Sequence, residues 1–336
     1  MLRNRRFWIG AVLAIVFLFL FLWNTDFSEM RRALSNAEYI YLLPAVLVFL
    51  VGVFFRSLRW QYLLRPLGKF SAIRLFPLVV IGFMINNVIP ARLGIVARAY
   101  ILGEKEGVSK MAAGGNLVVE QIFDGITLLL FVAIISLFVS LEGWIQNAVY
   151  VAAGLFIGAL LLCFILAVST RFSNLILIIL LRILPRRLHS SSEKWFNLLV
   201  EGLVILRSPG KLFILLALSM LVWLTEAGTF YVVGFAFDLD QPYYVYILAA
   251  SVANLAWALL MTQGGVGSFD YALTKALTIS AFVPAGVSLA EYEALAKAYT
   301  IVLHATLLIP MIALGFIFLW IENVSLARIV QEKEKG

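Results

Sequence analysis

The sequence predicts an all-α polytopic membrane protein with about six full spans plus two re-entrant helical hairpins in an inverted-topology repeat. Three observations carry that expectation. The 336 residues are 63% hydrophobic and only 13% charged, about half the charged share of a soluble domain. Apolar runs of about 20 residues, enough to cross a bilayer as a helix, recur along the chain. Two apolar stretches are broken by polar, glycine-containing turns, and such turns persist at membrane depth only where protein or water covers them. The alternating runs of about 10 residues that mark a transmembrane barrel are not seen.

The whole chain, 1–336, reads as a single integral membrane domain. Residues 1–35 hold the first span, Phe7 to Trp23, and an outer connection. Arg3, Arg5 and Arg6 precede that span, and Trp23-Asn24-Thr25-Asp26 offers no small-residue cleavage site, so an uncleaved span is expected rather than a signal peptide. Residues 36–145 form a first repeat: span 2 (Tyr39 to Leu58), a hairpin (Leu75 to Leu102) and span 3 (Met111 to Ser140). Residues 146–210 hold span 4 (Ala148 to Val168) and a basic linker whose short apolar pieces suit the membrane interface. Residues 211–322 form a second repeat: span 5 (Leu212 to Phe237), a hairpin (Tyr243 to Val283) and span 6 (Leu295 to Trp320). Residues 323–336 are a charged tail.

The two repeats share the order of elements, a glycine turn and the tripeptide Gly-Val-Ser, at Gly107-Val108-Ser109 and Gly286-Val287-Ser288. Lys and Arg next to the spans set orientation. They place both termini, the cluster Arg56, Arg59, Arg65, Lys69 and Arg74, and the linker in the cytoplasm of a cell-membrane protein. The first repeat then starts outside and the second inside, the plan of many secondary transporters. The net charge of +7 reports orientation and attraction to anionic headgroups, not nucleic acid. Cys163 is the only cysteine, which excludes an internal disulfide and a thiolate metal cluster.

The first turn reads Asn86-Asn87-Val88-Ile89-Pro90-Ala91-Arg92-Leu93-Gly94, with Arg98 following. Arginine grips phosphate with a planar fork of donors, and helix N-termini at a hairpin tip add N–H groups. Arg92 and Arg98 are therefore candidate ligands of a lipid phosphate; the alternative is that they snorkel to headgroups. Glu120 and Asp124 share one helix face. They either pair with Arg92 or Arg98 to hold the hairpin, or form a proton- or cation-linked switch that competes with substrate. Glu226 is similar, with Lys275 or a hairpin backbone as partner. The second turn, Thr262-Gln263-Gly264-Gly265-Val266-Gly267-Ser268, is followed by Asp270, which reads as a helix cap or a headgroup contact. His304 reads as a satisfied interior histidine or a proton relay. No catalytic motif and no cofactor motif is present.

At these residues the chain resembles the flippase-like transmembrane domain of lysylphosphatidylglycerol synthetases and its stand-alone relatives. The resemblance rests on Asn86, Pro90, Arg92, Gly94 and Arg98, on Gly107 and Ser109, on Glu120 and Asp124, on Gly264, Gly265, Gly267 and Asp270, and on His304. Three positions depart from the family pattern: Ile95 for Glu, Gln121 for Arg and Gln263 for Pro. The resemblance implies movement of a phospholipid or polyprenyl-phosphate-linked lipid across the bilayer, with no lysyl transfer expected of this chain. An enzyme acting on lipid phosphate, and a non-transporting partner of a glycosyltransferase or lipid-modifying enzyme, are the alternatives. A homo-oligomer is compatible with either.

Overall fold

A computed structural model describes residues 5–23, 25–89, 93–139, 141, 143–185, 189–260 and 262–324, and these are helical throughout apart from turns. The first apolar run forms α1 (Arg5–Leu22), which meets α2 (Phe27–Asn36) at an 89° bend. The bend is fixed by Asp26, whose side chain accepts hydrogen bonds from the N–H groups of Ser28 (2.9 Å) and Glu29 (3.1 Å) at the start of α2. The Ser28 hydroxyl adds a further bond, and these donors hold the Asp26 carboxyl below the usual range.

The stretch expected as the first repeat holds α3 (Leu42–Leu63), α4 (Ala72–Val88), α5 (Gly94–Glu106) and α6 (Lys110–Ile135). Then come α7 (Trp144–Val168), α8 (Thr170–Ile183) and α9 (His189–Gly202), the last two being the linker's short helices, with α9 packed on α6. The stretch expected as the second repeat holds α10 (Pro209–Phe235), α11 (Tyr243–Leu260), α12 (Ser268–Leu277) and α13 (Leu289–Ile321). Among the described residues, six segments are long and apolar enough to cross a membrane: Tyr39–Leu63, Lys110–Ile135, Ile145–Val168, Gly210–Phe235, Tyr243–Leu260 and Leu289–Ile321; the expected first span, α1, passes only together with α2 across their bend. This set differs from the expected one. The helix α11, expected as one arm of a hairpin, is by length and composition a full span, whereas α4 and α5, of 17 and 13 residues, are not.

The repeated Gly-Val-Ser has one physical job done twice. Gly107 (φ +70°) and Gly286 (φ +84°) take the left-handed conformation that ends the preceding segment. Two residues on, Ser109 and Ser288 cap α6 and α13, accepting from the N–H groups of Ala112 and Glu291 at 3.2 Å each. Helix packing follows the same exchange. Helix α3 lies on α10, α4 on α13 and α11 on α6, so swapping the halves maps the α3–α10 pairing onto itself and α4–α13 onto α11–α6.

Contacts gather the loops at two ends. At one, the Glu38 N–H donates to the Ala236 carbonyl (2.8 Å), and the buried Lys297 donates to Thr25 Oγ1 (2.9 Å) and the Trp23 carbonyl (3.2 Å). At the other, Arg207 donates to the Ala167 carbonyl (2.6 Å) and Lys105 pairs with Glu322.

Candidate functional site

The polar centre of the molecule grows from α3. Arg56 and Arg59 are three apart and share one face, and α3 continues to Leu63, past the expected end of span 2 at Leu58. That extension includes Arg59, and with Arg56 on the same face both arginines turn away from the headgroup cluster to which the sequence assigned them. Arg56 is 6% exposed and Arg59 fully buried.

Arg59 holds Asp124 with both terminal nitrogens, at 2.6 and 3.0 Å, and also donates to Ser219 Oγ at 2.8 Å. Its Nη2 lies 3.4 Å from Glu120. Arg98 holds Glu120 the same way, at 2.8 and 3.1 Å, and its guanidinium stacks 4.2 Å above the Trp60 ring. Arg56 donates to Glu226 Oε2 at 2.5 Å and sits 3.6 Å from Asp124. Its guanidinium lies between two aromatic faces, Trp223 at 4.7 Å and Phe83 at 5.2 Å. Trp223 Nε1 donates to Asp124 (2.7 Å), and Asn254 Nδ2 donates to Glu226 Oε1 (3.2 Å).

Three guanidinium groups therefore face three carboxylates, contributed by α3, α5, α6 and α10. Ser219, Trp223 and Glu226 lie on one stripe of α10, as Glu120 and Asp124 do on α6. Glu120 pairs with Arg98, one of the two partners expected for it. Asp124 pairs with Arg59 and Arg56, and not with Arg98. Glu226 pairs with Arg56 and Asn254, while Lys275, its expected partner, bonds Glu293 instead (3.1 Å).

Glycine lets Arg98 reach its site. A Cβ on Gly82 of α4 would lie 2.7 Å from the Arg98 side chain and 3.2 Å from the Gly94 carbonyl. Asn86 closes the same turn by accepting the Gly94 N–H at 2.7 Å, acting as a cap on α5 from the preceding helix. Arg92 and Pro90 lie outside the described residues.

Asp270 and His304 form a second centre. Asp270 Oδ2 accepts the Gly267 N–H (2.8 Å) at the start of α12, so the helix-cap role is present. Its Oδ1 is 2.6 Å from His304 Nδ1, and His304 Nε2 is 2.9 Å from the Gly264 carbonyl. A carbonyl only accepts, so Nε2 carries a proton. The Nδ1–carboxylate bond needs a second one.

Gly264, Gly265 and Gly267 all have positive φ, at +60°, +81° and +80°. The turn they build meets the first one: a Cβ on Gly264 would stand 3.4 Å from the Asn87 carbonyl. Gly267 faces α1 more closely still, with the Ala14 carbonyl and Leu18 N–H 2.6 Å from where a Cβ would sit.

Several buried polar atoms near Glu120 have no partner among the described residues: Arg59 Nε, Arg98 Nε, Trp60 Nε1 and both amide atoms of Asn116. Asn116 lies one turn before Glu120 on α6. The sequence pointed to none of Arg56, Arg59, Trp223, Asn254 or Asn116. Their signals were an Arg-x-x-Arg inside a helix and an Asn four residues before a buried acid.

A family model described as the lysylphosphatidylglycerol synthase TM region matches residues 7–315. A UPF0104 membrane protein of Methanothermobacter thermautotrophicus is 25% identical over 262 residues, covering 72% of this chain and 76% of that one. The glycosyltransferase AglD of Haloferax volcanii is 26% identical over 317 residues, and the match covers 84% of this chain but only 50% of that protein. A UPF0104 membrane protein of Methanocaldococcus jannaschii is 35% identical over 100 residues, 29% of each chain. No solved structure matches the chain.

Proposed function

The chain belongs to the family of the lysylphosphatidylglycerol synthase TM region, and from that premise we propose that this multi-pass membrane protein is a lipid translocase. Its substrate is a phospholipid or a polyprenyl-phosphate-linked lipid. The two halves act as inverted repeats, and the glycine turns, as re-entrant tips, gate opposite faces. The headgroup phosphate is received at the arginine centre, with Arg92 and Arg98 on the first turn.

One observation carries this reading: six ionised side chains buried at the meeting of both halves. Burying ion pairs is a poor way to gain stability, since apolar packing of the same volume does as well or better. Such residues inside spans mark a path for a polar cargo. The contact between the Gly264 turn and Asn87 supports gating at the turns.

The test is lipid movement in proteoliposomes. Fluorescent phosphatidylglycerol, phosphatidylcholine and a polyprenyl phosphate are compared for wild type, Arg92→Ala and Arg98→Ala. Headgroup-selective movement that the variants lose is expected. No movement of any lipid by folded protein, under any imposed ion gradient, overturns the reading. A second reading is favoured by the glycosyltransferase relative, half of which the match covers. There the chain is a membrane partner that docks such an enzyme. Cavity charges are then dispensable and the 171–211 linker is not.

A further inference from the structure

The three ion pairs of the arginine centre are not equally held. Asp124 has four donors around it: two nitrogens of Arg59, Trp223 Nε1, and Arg56 at a longer 3.6 Å. Glu120 is gripped by both terminal nitrogens of Arg98, with Arg59 behind, and is 1% exposed. Glu226 has one charged donor, Arg56 Nη2, and one neutral amide at 3.2 Å. A single-point pair lacks the fork geometry that makes arginine–carboxylate contacts strong.

Arg56 is held without Glu226. Its guanidinium keeps the Trp223 and Phe83 faces and the more distant Asp124 carboxylate. It also sits where the halves meet, on α3 with an α4 ring on one side and an α10 ring on the other. Here a cation stands against aromatic rings, and its counter-ion is the acid of the cluster with the fewest charged donors, though the contact itself is short.

We propose that Arg56 receives the anionic oxygen of the substrate and that Glu226 is its exchangeable internal counter-ion. This rests on the translocase reading and adds what couples it. Glu226 takes up a proton from water and leaves Arg56, and a phosphate-class oxyanion takes its place. No bond is made or broken apart from that proton transfer. The cluster holds three positive and three negative charges before the exchange. Afterwards Glu226 is neutral and the oxyanion supplies the missing charge, so the balance is kept. One proton thus enters for each negative charge bound, and binding tightens as pH falls.

The charged group touching Glu226 is Arg56 from α3, and through Arg56 it is linked to Asp124 from α6, which Arg59 also holds. From α11 it meets the neutral Asn254. On α13, Lys297 and Glu293 bond each other and His304 bonds Asp270. Arg207, beside the start of α10, bonds the Ala167 carbonyl.

The test is native mass spectrometry of the purified full chain with dioleoyl phosphatidylglycerol, dioleoyl phosphatidylcholine or inorganic phosphate, at about pH 5.5 and about pH 8. Wild type should bind phosphatidylglycerol about tenfold more tightly at the lower pH. Glu226→Gln should bind it equally at both, at the wild-type low-pH level. Arg56→Gln should lose it at both, and Arg56→Lys, which keeps charge and folding, should bind more weakly than wild type. Competition by inorganic phosphate assigns the site to the phosphate group alone; its failure assigns it to the whole headgroup. Either outcome supports Arg56 as the anion's residue. Unchanged pH dependence in Glu226→Gln, or full binding by both Arg56 variants, overturns the proposal. If lipid still moves while Glu226→Gln keeps the wild-type pH response, the counter-ion assignment falls and translocation stands. If Glu226→Gln frees an anion site but no lipid moves, the reverse holds.

Discussion

At the scale of the residue, the buried pairs predict a sharp asymmetry between removing one partner and removing both. Arg98 and Glu120 are 5% and 1% exposed, so a lone survivor cannot turn to water. Arg98→Leu leaves Glu120 with only the 3.4 Å contact to Arg59. It should cost about 3–5 kcal/mol. Adding Glu120→Leu removes the orphaned charge and should recover most of the loss, because an apolar pair of similar volume is often neutral or stabilising. Unfolding in detergent, followed for both single variants and the double, checks this; equal costs for single and double variants would rule the pairing out. The Glu120–Asp124 face is legible in the sequence, because residues four apart share one side of a helix. Their partners are not. Arg56 and Arg59 stand just before Arg65, Lys69 and Arg74, which is how a headgroup-facing cluster reads. Only the packing of α3 on α10 reveals that two of the five turn inward.

Between elements, close approach decides which residues the hairpin tolerates. Helices α4 and α5 pass each other at Gly82 and Gly94, and the Arg98 side chain runs over Gly82 towards Glu120. Gly82→Val places branched carbon where the Arg98 chain lies. Overpacking of this kind costs about 1–3 kcal/mol, and here it should also push Arg98 off Glu120. The expected result is a lowered melting temperature plus the orphaned-carboxylate penalty. A cycle with Glu120→Gln separates the two, since the second part should shrink when the acid is already neutral. A Gly82→Val variant that melts with wild type would show that α4 and α5 are not packed this closely. The shared Gly-Val-Ser was readable as a repeat because left-handed glycine followed by a serine cap is local chemistry. The status of α11 was not readable. A polar turn after 18 apolar residues looks the same whether the helix re-enters or spans, and the difference lies in what packs around it.

Across the whole molecule, the contacts that gather loops at two ends also divide the charges. One end joins Asp26, Glu38 and the loop holding Asp238 and Asp240. The other joins Arg74, Lys105, Arg207 and the start of the linker at Arg171. Lys and Arg collect on the cytoplasmic side of membrane proteins because translocating them is costly. The orientation expected from the charge distribution puts the second end on the cytoplasmic side. Cys163→Ser removes the one native thiol and leaves a clean background. Into it go Glu104→Cys and Asp240→Cys, one at each end, both on exposed positions. A membrane-impermeant maleimide on intact cells should label the cysteine at 240 and not the one at 104, which should react only after permeabilisation. The opposite pattern would invert the molecule. The start of the first repeat would then lie inside and that of the second outside, leaving the exchange of packing intact while reversing which turn opens to which side. Labelling of both sites in intact cells would mean that the two ends do not lie on opposite faces of one bilayer. The inverted repeat would then fail as an account of how the α3–α10, α4–α13 and α6–α11 pairings arise.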